Sequence, residues 1–310
     1  MAGDEMRVFD RAAVRRHRDR AAGRLAEHDF LFAEVATRLA DRLDDVNRQF
    51  PVALDLGCHS GQLGRTIGAR GGIETLIQAD LSFELVRRAG RLAVVADEEA
   101  LPFGEARLDL VLSVLSLHWV NDLPGTLAQI RRALKPDGLF LAAILGGETL
   151  RELRQVLIAA ETTVSGGAGP RVSPFAEIRD AGALLQRAGF ALPVVDADVL
   201  TFSYRDPLRL MHELRALGEG NAVATRRKTL TGRQLFLEAA RLYHERFEDG
   251  EGRVPATFEV LYLIGWAPGP DQPRPKAPGS AETRLAEALG SKERSAGEKA
   301  GSGRSGLGYR

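Results

Sequence analysis

The chain has 310 residues, 42 lysines and arginines against 42 aspartates and glutamates, and a formal net charge of +0. That balance leaves no overall basic field for nucleic acid, and 44% hydrophobic with 27% charged residues is the composition of an ordinary globular chain. Apolar runs such as Leu110–Leu117 fall far short of the ~20 residues of a spanning helix, so no transmembrane segment is expected. The length allows one large domain or two small ones.

A single cysteine, Cys58, excludes an intramolecular disulfide. The start lacks an apolar signal core. It is rich in arginine, but Asp4, Glu5, Asp10 and Asp19 interrupt it, and transit peptides are poor in acids. A bacterial cytoplasmic protein is therefore expected.

Residues 7–24 read as a basic helix. Phe32, Val35, Leu39, Leu43 and Val46 recur at helical spacing and predict an amphipathic helix over 29–46, which Pro51 ends. A strand follows at 52–56, then a glycine loop and a short helix to about residue 69. Strands are expected at 75–80, with Ser82 capping the next helix, at 92–97 and at 108–116. A helix over 124–134 leads through the turn 135–138 into a strand at 139–145. The second half predicts helices at 148–163 and 175–188 around a loop at 165–174, and a strand at 192–204. Helices near 207–217 and 231–247 then precede a last strand at 257–267.

Apolar strands alternating with helices imply an α/β fold: a doubly wound, mostly parallel seven-stranded sheet covered on both faces. The last two strands pair antiparallel at its edge, with a helical insertion between them. The expected organisation is N-terminal helices over 1–50, a cofactor-binding domain over 51–267 with a lid at about 205–255, and a Pro/Gly-rich, largely disordered tail over 268–310.

The stretch DLGCHSGQLG, residues 55–64, carries the chemistry. Its glycines stand at 57, 61 and 64, but a dinucleotide fingerprint needs glycine at 59, which is His59. An acid at the strand end would repel a pyrophosphate. S-adenosylmethionine instead brings a sulfonium, an ammonium and a carboxylate; Asp55 suits the cations and the loop amides suit the carboxylate. The plainer reading is a generic tight turn. Asp80 ends the second strand, where a carboxylate accepts ribose hydroxyls, and Asp97 ends the third, where it accepts the adenine amino group. The expected cofactor-binding set is Asp55, Gly57, Gly61, Asp80, Leu81, Asp97, Glu98, Ser113 and Leu115. His59 must tolerate the positive φ of its position.

His118 and Trp119 follow the fourth strand, where substrate and cofactor should meet: His118 as a base, Trp119 as a pocket wall, or both as packing. After the fifth strand, Glu148 and Glu152, with Arg151 and Arg154, can orient a guanidinium or a carboxylate. Acids at a helix start are also what the helix dipole favours. His17 and Asp19 stand two apart on a helix and do not face each other, so no metal site is expected. Cys58 reads as loop packing. The arginine-rich start reads as a solvated face, or as a cover for the cofactor or a contact for an acidic partner.

VALDLGCHSGQLG, QADLS, ADEEALPF and the run from Leu108 to Phe140 resemble the class I S-adenosylmethionine-dependent methyltransferases, of the type that includes the biotin-pathway malonyl-carrier-protein methyltransferase. That resemblance covers about 50–145 and implies the fold and the cofactor. MRVFDRAAVRRHRDRAA, LSLHWVNDLP, GGETLRELR, SPFAEIRDAGALLQRAGF and VPATFEVLYLIGW extend it over nearly the whole chain, which resembles the mitochondrial respiratory complex I assembly factor five family. This implies hydroxylation of an arginine on a complex I subunit, and peripheral association with a membrane; in a eukaryote the site would be the matrix side of the inner mitochondrial membrane. A protein arginine needs acids to meet it, and Glu148, Glu152, Glu213 and Glu219 are the candidates beside Trp119, with His118 and Glu148 as catalytic residues. Methyl transfer to another substrate, and a non-catalytic assembly role, remain the alternatives.

Overall fold

The computed structural model describes residues 7–175, 177–270, 272 and 283–292. It divides into two units, Met1–Pro270 and Asp271–Arg310. The second unit contains one short helix, α10 (Leu285–Ala288), within the stretch expected to be disordered; the rest of that expectation beyond Pro270 lies largely outside the described residues.

The first unit opens with α1 (Arg11–Ala21) and α2 (Phe30–Asp44). The sheet then builds through β1 (Val52–Leu56), α3 (Gln62–Ile67), β2 (Thr75–Asp80), α4 (Phe83–Val86), β3 (Ala93–Val95), β4 (Leu108–Val114), α5 (Leu123–Ala133) and β5 (Leu134–Leu145). It is completed by α6 (Arg151–Ser165), α7 (Ile178–Arg187), β6 (Ala191–Tyr204), α8 (Pro207–Ala216), α9 (Arg233–Phe247) and β7 (Val254–Trp266). The seven strands lie in the order β3-β2-β1-β4-β5-β7-β6. The first five are parallel, and β7 runs antiparallel to both β5 and β6.

Strand alternation divides the apolar residues between two faces. Leu54, Leu56, Val111 and Phe140 pack with Leu127 and Ile130 of α5 and Leu185 of α7. Ala53, Leu110, Leu112 and Leu139 pack with Phe32 and Leu39 of α2, Val156 of α6 and Tyr243 of α9. Both faces are thus covered, which is why the strands read as apolar runs.

Some boundaries differ from expectation. The basic N-terminal helix spans only Arg11–Ala21, because Asp10 caps it by accepting from the Ala13 amide. β3 is shorter than 92–97, as befits an exposed sheet edge where Val94 and Val95 are 37% and 47% exposed. β5 begins at Leu134, before the predicted turn: Leu134 pairs with Leu108, and Asp137 adopts φ 61 inside a register shift. α7 starts at Ile178 rather than 175.

Phe140 is fully buried and stacks on Phe190 with ring centroids 5.3 Å apart. Phe140→Ala should therefore cost about 3–5 kcal/mol, read as a lower denaturant midpoint with unchanged slope. A loss below about 1 kcal/mol would contradict this account of the core.

Candidate functional site

The order β3-β2-β1-β4 makes the gap between β1 and β4 the point where the chain reverses its direction of winding, and ligands of such sheets bind at the strand ends there. Four chain segments meet at that rim: the 57–61 turn, the end of β2, residues 97–98, and Leu115–Trp119.

The 57–61 turn is tight for a visible reason. Gly57 and Gly61 have φ of 72 and 88, and a Cβ at Gly57 would overlap the Ser116 side chain. His59 does adopt positive φ, at 50. It is held there by stacking on Phe32 (4.0 Å, 17°) and by a 2.9 Å contact from Nε2 to the Val114 carbonyl. Its amide donates to Asp80 at 3.1 Å. Ser113 donates its hydroxyl to the Leu56 carbonyl at 2.7 Å and ties β4 to β1. Leu115 is buried at φ 47, while Leu81 packs against Phe9 and Trp119.

The three strand-end acids meet different fates. Asp55 is completely buried and takes one hydrogen bond, from Gln78 at 3.2 Å, while its Oδ1 has no partner. Burial, with Asp80 nearby, pushes its carboxyl up to about 7 against the pull of Gln78. Asp80 is also buried and accepts from the amides of His59 and Ser82. Asp97 stays part-exposed, paired with Arg11 at 2.7 Å.

The residue that sequence reasoning missed is Arg18. It is 1% exposed, and its guanidinium lies 3.3 Å from both Asp80 oxygens, 3.0 Å from Glu98 and 2.8 Å from the Ser116 hydroxyl. Glu98, wholly buried, also pairs with Arg11 and accepts from Ser116 at 2.6 Å. Burial alone would discharge both partners. For Arg18 the charges of Asp80 and Glu98 outweigh burial and raise its pKa; for Glu98 the two arginines and Ser116 outweigh it and pull the pKa to about 2. The expected solvated face of α1 is therefore wrong for Arg18, and Arg11, with a side chain 13% exposed, also turns inward to Asp97 and Glu98. A signal was present: Val14, Arg18 and Ala21 share the spacing of one buried helical face.

These residues fit a polar, part-cationic nucleoside ligand in composition: a glycine turn with free conformational range, carboxylates at three strand ends, and the orphaned Asp55 Oδ1 and His59 Nδ1. The guanidinium of Arg18 rests on the carboxylate expected to receive a ribose.

Beyond the rim lies an apolar cavity of about 460 Å³ between α6, α8 and α9, bounded by Trp119, Leu153, Phe175, Met211 and Phe236. Glu219 is the carboxylate in its wall. Its Oε2 accepts the Trp119 indole N–H at 2.9 Å and sits 3.2 Å from His118 Nε2. Burial would neutralise Glu219, but His118, Arg18 and His59 outweigh it and hold its pKa below the usual range. His118 stands behind Glu219 rather than in the cavity wall.

The other expected substrate acids are spent elsewhere. Glu148 is exposed and pairs with Arg151 at 2.9 Å. Glu152 is buried and accepts the Thr257 hydroxyl at 2.5 Å, tying α6 to β7. Glu213 accepts the Tyr204 hydroxyl at 2.9 Å. None of the three lines the cavity; of the four expected substrate acids only Glu219 does. His17 contacts the Gly220 carbonyl and Asp19 the Ser82 hydroxyl, so that pair does not converge. Cys58 is buried, and burial pushes its thiol well up.

Two measurements follow. Arg18→Met leaves Asp80 buried without a cation and Glu98 with Arg11 alone, and should cost about 3–5 kcal/mol, with partial recovery on adding Glu98→Gln; equal stability of Arg18→Met and the parent would contradict the cluster. Because the folded pKa of Glu98 lies below its ordinary 4.5, its stabilisation is present above that pH and is lost as pH falls from 4.5 toward about 2. The melting temperature should drop over this window, and less steeply in Glu98→Gln.

A methyltransferase domain model matches residues 54–142. The chain is 44% identical over 289 residues to the arginine-hydroxylase NDUFAF5 of Danio rerio, covering 91% of this chain and 89% of that protein. The human protein of the same name is 43% identical, with 91% and 83% covered. A malonyl-[acyl-carrier protein] O-methyltransferase of a Methylovorus strain is 36% identical, with 84% and 90% covered. Among solved structures, the YcgJ protein of Bacillus subtilis matches at TM-score 0.50 and 15% identity, covering 74% of this chain and 97% of that one, a likeness of fold alone. The fold is thus that of an enzyme superfamily whose cofactor is S-adenosyl-L-methionine. The chain belongs to the class I S-adenosylmethionine-dependent methyltransferase superfamily, in the family that includes the mitochondrial arginine-hydroxylase NDUFAF5.

Proposed function

We propose that this chain modifies an arginine side chain of a protein partner, a complex I subunit, and that the modification is hydroxylation. The observation that carries the reading is the 44% identity over nine-tenths of the chain to a protein named as an arginine hydroxylase. The cavity supports it. An arginine needs an apolar sleeve for its methylenes and a carboxylate for its guanidinium. Glu219 is ionised, buried, and fixed by Trp119 and His118. Directional Arg–carboxylate pairing and the Trp119 face suit a guanidinium.

In this reading Asp80 takes the ribose hydroxyls once Arg18 has left it, Asp97 the adenine amino group, and the 57–61 amides the carboxylate. S-adenosylmethionine would supply a sulfonium with a transferable methyl, which serves methyl transfer; hydroxylation would in addition take its oxygen atom from molecular oxygen and two electrons from an external reductant, neither of which this cofactor carries. The residues of this chain align the partners and exclude water. His118 acts by holding Glu219 in place.

A second reading, methyl transfer, is favoured by the 36% identity to a malonyl-[acyl-carrier protein] O-methyltransferase. A third, an assembly role without catalysis, is favoured by Arg18 on Asp80. Intact-mass analysis of the partner subunit with and without the protein separates them: one added oxygen, one added methyl group, or no change.

Glu219→Gln keeps the shape but removes the charge. It should lower kcat/KM for modification by about 10–100-fold, the ~1.5–3 kcal/mol of a charged hydrogen bond. Isothermal titration should find S-adenosylmethionine affinity within about twofold of the parent. Normal modification by Glu219→Gln would remove Glu219 from the substrate site.

A further inference from the structure

A second cavity, about 1020 Å³, opens beside the apolar one. Arg20, Arg24, Arg171, Arg215, Arg226 and Arg227 line it together with three histidines, and no aspartate or glutamate does. The whole chain carries no net charge, so this concentration is local. It is only partly neutralised from behind: Arg171 pairs with Glu161 at 2.5 Å, Arg226 with Asp10 at 2.9 Å and Arg24 with Glu27 at 3.6 Å. Arg20, Arg215 and Arg227 are exposed and pair with no carboxylate among the described residues. His17, in the same wall, feels this field: burial first, then Arg226, Arg20 and Arg16, lower its pKa.

The two cavities share a wall of Arg171, His212, Arg215, Gly220 and Asn221. On the apolar side of that wall stands the carboxylate of Glu219; on the other side stand only cations and neutral groups. A free arginine approaching Glu219 would be repelled at this mouth. The same cation delivered beside carboxylates would be attracted, because the flanking acids meet the arginines while the guanidinium meets Glu219. The basic groups sit on separate segments: the end of α1, the turn after it, the loop between α6 and α7, α8, and the 221–231 loop. Charge spread along a groove in this way matches a row of carboxylates rather than one compact anion.

We propose that this cavity docks an acidic stretch of the polypeptide that presents the modified arginine. The proposal deepens, and rests on, the reading that the substrate is an arginine within a protein. Acidic flanks then decide which arginine is chosen, since a neutral or basic flank leaves the mouth uncompensated.

The test uses the full chain and fluorescent synthetic peptides followed by anisotropy. One peptide carries an arginine flanked by glutamates, a second replaces the glutamates by glutamines, and a third keeps the glutamates but replaces the arginine by glutamine. The glutamate-flanked peptide should bind at least roughly tenfold more tightly than the glutamine-flanked one, and its affinity should fall with added salt. The third peptide should keep most of that advantage. Arg20→Glu combined with Arg227→Glu should abolish the advantage while leaving the melting temperature unchanged.

Equal binding of the first two peptides would overturn the proposal. So would an advantage that survives the charge reversal, or displacement of the peptides by micromolar tripolyphosphate that itself binds more tightly, which would mark a phosphate site. Binding as expected with no modification of the partner subunit would uphold the docking and sink the arginine reading. A modified subunit alongside equal peptide binding would do the reverse.

Discussion

The rim of the sheet depends on one buried cluster of charge. Arg18 reaches from α1 to Asp80 and Glu98, and neither the cation nor the two carboxylates touches solvent appreciably. Three charges in a low-dielectric interior persist only as a set, because each would otherwise lose its ionisation or the fold. The set therefore fixes where α1 lies, and α1 in turn supplies a wall of the basic cavity. Ser116 and the amides of His59 and Ser82 add hydrogen bonds to the set, while the Nε of Arg18 has none.

Arg18 also links the two halves of the site. One side of α1 faces the carboxylates at the strand ends, and the other carries His17 and Arg20 into the basic cavity. Backbone contacts reinforce that helix at its start. The Phe9 amide donates to Asn121 at 2.8 Å, and the Asp10 amide to the Ala222 carbonyl at 2.8 Å.

The insertion between β6 and β7 walls the apolar cavity on one side of the sheet. α8 and α9 contribute Met211, His212, Arg215 and Phe236 to the cavity walls, and the turn after α8 brings Glu219 to Trp119 and His118. Apolar residues line this cavity, and arginines line the cavity beside it, the two sharing Arg171 and Arg215. The acids of α6 serve the scaffold instead: Glu152 anchors β7 through Thr257, and Glu148 stays at the surface.

Much of the fold was legible in the sequence because its signals are local and periodic. Apolar runs bounded by Pro51, Gly57 and Ser82 mark strands and caps at nearly their observed ends, and β1 and β2 fall where expected. The glycine turn and the acids at the ends of β1 and β2 do meet at one rim of the sheet, as their places after successive strands imply. What only the tertiary structure decided is which charged side chains are spent on each other. Arg18 looks like one more residue of a basic helix, and Glu152, Glu213 and Glu219 look alike in the sequence. Their roles separate through contacts spanning 62 residues from Arg18 to Asp80, 105 from Glu152 to Thr257, and 100 from Trp119 to Glu219. Helical or strand spacing is written into neighbouring residues, whereas the choice of a charge's partner depends on which distant segments the folded sheet brings within hydrogen-bond reach.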